Sequence, residues 1–213
     1  MTTWGIVVAA GTGSRFGAPK QYEVLGGRRL LDWALAGIRQ VCDGVVLAVI
    51  PGREREPEAA DAVVAGAATR SGSVRAALVA VPPEAEVVVV HDAARPLAPP
   101  GLFRAVVDAV SGGADGAVPA LPVADTVKLV RDGLVMATLD RSELVTVQTP
   151  QAFAADALRR AHAGGGEASD DAALVEAVGG RVVVVPGDAR NAKVTTAEDL
   201  VVVRALLAGG GPA

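Results

Sequence analysis

The chain has 213 residues, 51% of them hydrophobic, and carries 20 Lys and Arg against 24 Asp and Glu for a formal charge of −4. This supplies a core, excludes a disordered or highly charged chain, and argues against non-specific nucleic-acid binding while allowing one nucleotide in a local pocket. Cys42 is the lone cysteine, Met1-Thr2-Thr3-Trp4 lacks a basic leader and no apolar run reaches ~18 residues, so a cytoplasmic protein without a membrane segment is expected.

Gly5 to Ala10 reads as a buried strand, and Gly11-Thr12-Gly13-Ser14-Arg15-Phe16-Gly17 follows it directly. Leu30 to Arg39 is expected to be a helix. Val45 to Ile50 is a second strand, stopped by Pro51-Gly52. Glu54 to Ala65 reads as a charged helix and Ser73 to Val81 as another. Val87 to Val90 is a third strand, Leu102 to Val110 a helix and Ala117 to Pro119 a short strand. Solid apolar strands alternating with helices predict a mostly parallel central sheet with helices on both faces.

The pattern then changes. Thr126 to Val130 and Leu134 to Ala137, joined by Arg131-Asp132-Gly133, predict a β-hairpin. Val145 to Thr149 is a strand and Phe153 to Ala163 a helix. Asp171 to Ala177 is a helix with Ser169 or Asp170 as N-cap. Val182 to Val185 is a late strand, Ala197 to Ala208 a helix, and Gly209 to Ala213 a tail. Residues 1–213 thus read as a single Rossmann-like α/β domain, with an arm at about 120–147.

The glycine-rich segment sits where open α/β sheets bind ligands. Its small residues let backbone N–H groups approach phosphate. Arg15 adds a charged fork and Lys20, behind Pro19, a mobile charge, so the segment is either a polyphosphate cradle or a tight turn. Phe16 replaces the third glycine of the dinucleotide fingerprint, and no Walker lysine follows. His91-Asp92 ends a four-valine strand at the same sheet edge. A carboxylate beside a triphosphate needs a cation between them, which points to Mg²⁺. Asp92 is the first metal candidate, and Asp170 or Asp171 the second. His91 suits a structural role, and His162 is expected on a helix surface.

Ser71 or Ser73 either caps a helix or sits with its neighbours around a base. Thr126 and Arg141 either bind a phosphate of a second substrate or belong to a solvated hairpin. Thr196 with Asp199 fits a capping box. Lys193 either neutralises phosphate beside Lys20 or is a surface lysine. Aromatics are only 3% of the chain, which leaves base recognition to backbone and small side chains.

Together these pieces resemble one family along nearly the whole chain, the cytidylyltransferase of the non-mevalonate isoprenoid pathway. The resemblance is carried by Ala9 to Gly17, Pro19-Lys20-Gln21, Arg70 with Ser73-Val74, and His91-Asp92-Ala93-Ala94-Arg95-Pro96. It continues through Asp125 to Lys128, Asp140-Arg141, Thr149-Pro150-Gln151, Ser169 to Ala172 and Asn191 to Thr195. It implies transfer of CMP from CTP to 2-C-methyl-D-erythritol 4-phosphate, with release of pyrophosphate. It further implies that Arg15, Lys20 and Lys193 stabilise the reacting phosphates. Ala9, Ala10, Gly11, Thr12, Gly13, Ala67, Ala68, Ser73 and Asp92 would bind the nucleotide, and Thr126, Arg141 and Asp92 the acceptor. Asp92 and Asp171 would lie at a Mg²⁺ ion, and the arm would reach into a partner subunit, making a homodimer. The loop between Arg15 and Lys20 is shorter than is common in the family.

Four alternatives remain at this point, one of them a sugar-phosphate or molybdopterin nucleotidyltransferase, which the arm residues Asp125-Thr126-Val127-Lys128 and Asp140-Arg141 oppose. Another polyol phosphate, such as ribitol 5-phosphate, could replace the acceptor. A nicotinamide-dependent dehydrogenase would need the glycine and acidic residue that are missing here. A catalytically dead subunit is opposed by the retained Arg15, Lys20, Asp92, Arg141 and Lys193.

Overall fold

A computed structural model describes residues 1–210 of the chain. Of the expected tail, residues 211–213 lie outside that range. The chain runs β1 (Thr3–Ala9), a short 3-10 turn (Lys20–Tyr22), β2 (Val24–Leu25), β3 (Arg28–Arg29), α1 (Leu30–Ile38), β4 (Gly44–Val49), β5 (Ala62–Ala65) and α2 (Arg70–Leu78). It continues through β6 (Val87–Asp92), α3 (Pro100–Ser111), β7 (Gly116–Pro122), β8 (Lys128–Arg131), β9 (Leu134–Thr138) and β10 (Val145–Val147). The last elements are β11 (Gln151–Ala154), α4 (Ala155–Ala163), α5 (Asp171–Ala177), β12 (Val182–Pro186) and α6 (Ala197–Ala208).

The central sheet is mostly parallel, as the alternation predicts. β5, β4, β1 and β6 lie side by side in that order, all parallel. β11 runs antiparallel between β6 and β7, and β12 pairs parallel to β7 on its other side. Every residue of β4 and β6 is buried, which explains the apolar run of β4 and that of Val87 to Val90 in β6.

Alternate residues of each strand feed opposite cores. Ile6, Val46, Val88 and Val90 face α2, α4 and α5 with Phe153, Val74, Leu158 and Val175. Val7, Leu47, Val87 and Val89 face α1 and α3 with Leu31, Leu35, Ile38, Phe103 and Val106. A third, smaller cluster joins Leu25, Leu30, Leu97, Val194, Leu200 and Val203, with Phe16 packed against it.

Two expectations are corrected. Residues 54–65 form no helix. Arg53 to Asp61 follows turns and bends, and Ala62–Ala65 is a strand paired with β4. Pro57 lacks the N–H that a helix interior needs, and Val63-Val64 prefers a pleated surface. The ion pair of Arg29 with Glu58, at 2.7 Å, ties this loop to the start of α1. The helix expected from Phe153 begins instead at Ala155, because Gln151–Ala154 is the reversed strand β11.

The arm hairpin forms a separate two-stranded sheet, every residue of which is exposed. Asp132 at φ 50° and Gly133 at φ 77° supply the two positive φ angles that a type I′ turn requires.

The core assignment predicts an asymmetry in stability. Phe153→Ala empties a fully buried site and should lower the unfolding free energy by about 3–5 kcal/mol. Val184→Ala, on an exposed position of β12, should change it by no more than about 0.5 kcal/mol. Urea unfolding followed by circular dichroism measures both.

Candidate functional site

The register of the parallel strands gathers their ends at one edge. Ala9 lies beside Val49, and Val8 beside Asp92. A cavity of about 630 Å³ opens there. It is lined by Ala9, Ala10, Gly11, Thr12, Gly13, Arg15, Lys20, Ala67, Ala68, Ser73, Asp92 and Lys193. The residues that the sequence assigns to the nucleotide and to catalysis therefore share one space, although they come from four separate stretches of chain.

Local packing explains why the glycine-rich segment folds as it does. Gly13 has φ +72°, and a Cβ there would lie 1.7 Å from the Ala18 carbonyl oxygen. Its own carbonyl accepts the N–H groups of Phe16 and Gly17, each at 2.8 Å. Gln21 is buried and donates from Nε2 to the carbonyls of Ala9 at 2.7 Å and Gly11 at 3.0 Å. Pro19 and Gln21 thus fold the short connection back onto β1, and Lys20 lines the cavity beside Arg15 despite it. Burial, then the charges of Lys193 and Arg15, lowers the pKa of Lys20. With Arg70, four cations line the one cavity and favour an anionic ligand.

The opposite wall is small and close. A Cβ on Gly66 would sit 2.2 Å from the Ala10 Cβ. Ser73 accepts the Ala67 N–H at 3.0 Å and donates to the Thr69 carbonyl at 2.9 Å. Thr69, rather than Ser71 or Ser73, caps α2, accepting the Gly72 N–H at 3.0 Å.

Asp92 is 8% exposed and, among the described residues, is the single carboxylate on the cavity wall. Its Oδ1 accepts from Arg70 Nε at 3.2 Å and its Oδ2 from Lys193 Nζ at 2.6 Å. Burial opposes its ionisation, but Arg70 and Lys193 outweigh that and hold it well below the usual carboxylate range. Arg70 has the opposite balance, with burial overcome by Asp92 and Asp171, and its pKa is raised.

The second acidic position does something else. Asp171 is fully buried, and its oxygens accept from Arg70 Nη1 at 2.7 Å and His162 Nε2 at 2.9 Å. It lines neither this cavity nor the smaller one beside it. The other candidate, Asp170, caps α5 by accepting the Ala173 N–H and also accepts from Gln151 Nε2 at 2.8 Å. His162 is 4% exposed rather than on the surface.

His91 is structural, as expected. It is fully buried, its Nε2 lies 3.1 Å from the Arg95 carbonyl, and its Nδ1 lies 3.2 Å from Thr149 Oγ1. Thr149 Oγ1 also accepts the Asp92 N–H at 3.1 Å. Its hydroxyl proton is then free for His91 Nδ1, leaving Nε2 to carry the ring proton.

A smaller cavity of about 90 Å³ adjoins the first and shares Arg70, Asp92 and Lys193 with it. Arg95, Thr149, Gln151 and the metal candidate Asp170 also line it. The sequence reading gave none of Arg70, Arg95, Thr149 or Gln151 a role, although each lies in a segment that carries the resemblance. Thr126 and Arg141 line neither cavity. Both are exposed on the arm, and Arg141 bonds to the carbonyl of Ala124.

The sequence model of the 2-C-methyl-D-erythritol 4-phosphate cytidylyltransferase family matches residues 4–209. The chain belongs to that family. It is 46% identical to the enzyme of that name from Saccharopolyspora erythraea, over 98% of this chain and 100% of that one. It is 48% identical to a bifunctional enzyme of Clavibacter michiganensis, covering 92% of this chain but 52% of that one. The crystal structure of the family member from Thermus thermophilus superposes with a TM-score of 0.83 at 39% identity, covering 97% and 98% of the two chains. Membership in this family removes support for the dehydrogenase alternative.

Burial pushes the pKa of His91 down to about 4 from 6.5, against the attraction of Asp92. The neutral ring therefore contributes stability that is complete above the unfolded value. That stability is lost as the pH falls from 6.5 toward about 4. Asp92, also depressed, adds its own loss only below 3.8. Urea midpoints measured across this range should fall in both windows. His91→Gln should flatten the upper window and leave the lower one.

Proposed function

We propose that the chain catalyses transfer of the cytidylyl group from CTP to 2-C-methyl-D-erythritol 4-phosphate. The products are pyrophosphate and 4-diphosphocytidyl-2-C-methyl-D-erythritol. Family membership gives the reaction its support. The observation that carries it to particular residues is the pair of adjoining cavities with Asp92 and Lys193 on their common wall. The larger has room for a nucleoside triphosphate beside Arg15 and Lys20, and the smaller lies where an acceptor phosphate would meet it.

In this reaction an oxygen of the acceptor phosphate forms a bond to the α-phosphorus. The bond to the oxygen bridging toward the β-phosphate breaks, and pyrophosphate departs with that electron pair. The attacking phosphate is already ionised, so no strong base is required. Catalysis then depends on alignment and on charge. Arg15 and Lys20 hold the triphosphate. Lys193, which donates to Asp92, lies on the wall of the same cavity and adds a third charge for the phosphate oxygens. The base is read by backbone and small groups around Ala67, Ala68 and Ser73.

The residues fit Mg²⁺ in one way. Among the described residues no group of three or more His, Cys, Asp or Glu could hold a metal ion unaided. Asp92 supplies one carboxylate to the cavity, which suits an ion held mainly by substrate phosphates. Bound there, Mg²⁺ would add charge stabilisation to the leaving pyrophosphate.

The arm supports a homodimer. Leu129, Val130, Leu134, Val135 and Met136 are all more than half exposed, and a lone two-stranded hairpin is marginal in water. Thr126 and Arg141 line neither cavity of their own chain, so they are assigned to the acceptor phosphate in the partner's site.

Pyrophosphate release should be fastest with CTP and methylerythritol phosphate in a grid that includes ATP, GTP, UTP and ribitol 5-phosphate. Equal rates with ribitol phosphate would overturn the assigned acceptor. Lys20→Ala should lower kcat by about 10²–10³-fold, more than it weakens CTP binding. Lys20→Ala and Arg141→Ala proteins, each weakly active alone, should regain activity when mixed, because one mixed site then carries both side chains. Purely additive rates would sink the crossed arm.

A further inference from the structure

The ion pairs behind Asp92 extend well beyond the cavity. Lys193 and Arg70 both donate to Asp92, at 2.6 and 3.2 Å. Arg70 uses a second nitrogen, Nη1, to reach Asp171 at 2.7 Å. Asp171 in turn accepts from His162 Nε2 at 2.9 Å. A carboxylate can only accept, so this contact fixes the ring proton on Nε2. His162 Nδ1 is buried and has no hydrogen-bond partner among the described residues. The ring is therefore held by Asp171 alone.

The series joins the ends of several elements. Asp92 closes β6, Arg70 opens α2, Asp171 opens α5, and His162 lies in the last turn of α4. Without His162, one oxygen of Asp171 would be buried and unpaired, a costly state that the side chain can relieve only by rotating. Rotation would withdraw Asp171 Oδ2 from Arg70. Arg70 would then no longer be held in the one orientation that points Nε at Asp92.

We propose that His162 and Asp171 form a positioning pair that fixes Arg70, and through it Asp92, at the junction of the two cavities. The proposal rests on the cytidylyltransferase reading of that junction. Neither residue touches a reactant. Their effect is on the alignment of Asp92, so it falls on turnover and not on capture of CTP by Arg15 and Lys20.

The test compares His162→Gln, whose terminal amide N–H mimics Nε2, with His162→Leu, which keeps volume but donates nothing. Thermal unfolding verifies that each is folded. His162→Leu should lose about tenfold in kcat with little change in the KM for CTP, the scale expected of a small misplacement. His162→Gln should stay within about threefold of wild type, well short of that loss. A packing role would give the reverse, with Leu active and Gln impaired. Full activity in Leu, or equal losses in both, would overturn the proposal. If Leu does not fold, His162→Asn takes its place. Its shorter amide sits near Nδ1, and it should lose activity as Leu would, so a fully active Asn variant overturns the proposal. Wild type assayed alongside separates the two readings. Inactive wild type defeats the proposed reaction and with it this role, whereas active wild type with unaffected variants defeats the positioning pair alone.

Discussion

The interaction on which the site depends is the burial of the Asp92 carboxylate between Arg70 and Lys193. A carboxylate at the end of a fully buried strand would ordinarily be forced neutral. Two cations keep it charged, and Arg70 is itself balanced by Asp171. The four charges of this network therefore balance, and the excess positive charge of the cavity lies on Arg15 and Lys20. An incoming triphosphate can then compete for Lys193 without leaving Asp92 bare, because Arg70 remains. This buried arrangement costs more to disturb than a surface ion pair of the same length.

The rest of the fold makes that geometry rigid. Sheet register sets Asp92 beside the end of β1, and Gln21 stitches the glycine-rich segment to the same place. Phe16 stands where a dinucleotide-binding loop would have glycine, and it packs into the cluster that holds Val194. That apolar cluster thus joins the segment bearing Arg15 to the segment bearing Lys193. With aromatic residues only 3% of the chain, the wall of the cavity is backbone and small side chains rather than rings.

Much of this was legible in the sequence because it depends on local pattern. The apolar runs of β1, β4 and β6, the Asp132-Gly133 turn, and the Thr196–Asp199 capping box are each written in a few adjacent residues. Segment 54–65 was misread because its charges resemble a helix surface, although Pro57 marked the break. β11 was missed because four residues running straight into α4 leave no periodicity of their own. Asp171 shows a deeper limit. Sequence reports a carboxylate but not whether it faces a cavity or an arginine 101 positions away in the chain. His162 could have been found, since Ala155, Leu158 and His162 share one helix face and all are buried.

The reversed strand β11 has a wider consequence. Parallel strands present only their C-terminal ends to the ligand edge, so a loop leaving there would normally have to cross the sheet before the next strand begins. β11 starts at that edge, with Gln151 beside Val90. The chain can therefore leave β7, build the arm and return without any crossover. An excursion rooted this way can lengthen, shorten or change its residues without shifting the register of the strands beneath it. The strand ends that frame the cavity can thus be kept while the length and outline of the arm change.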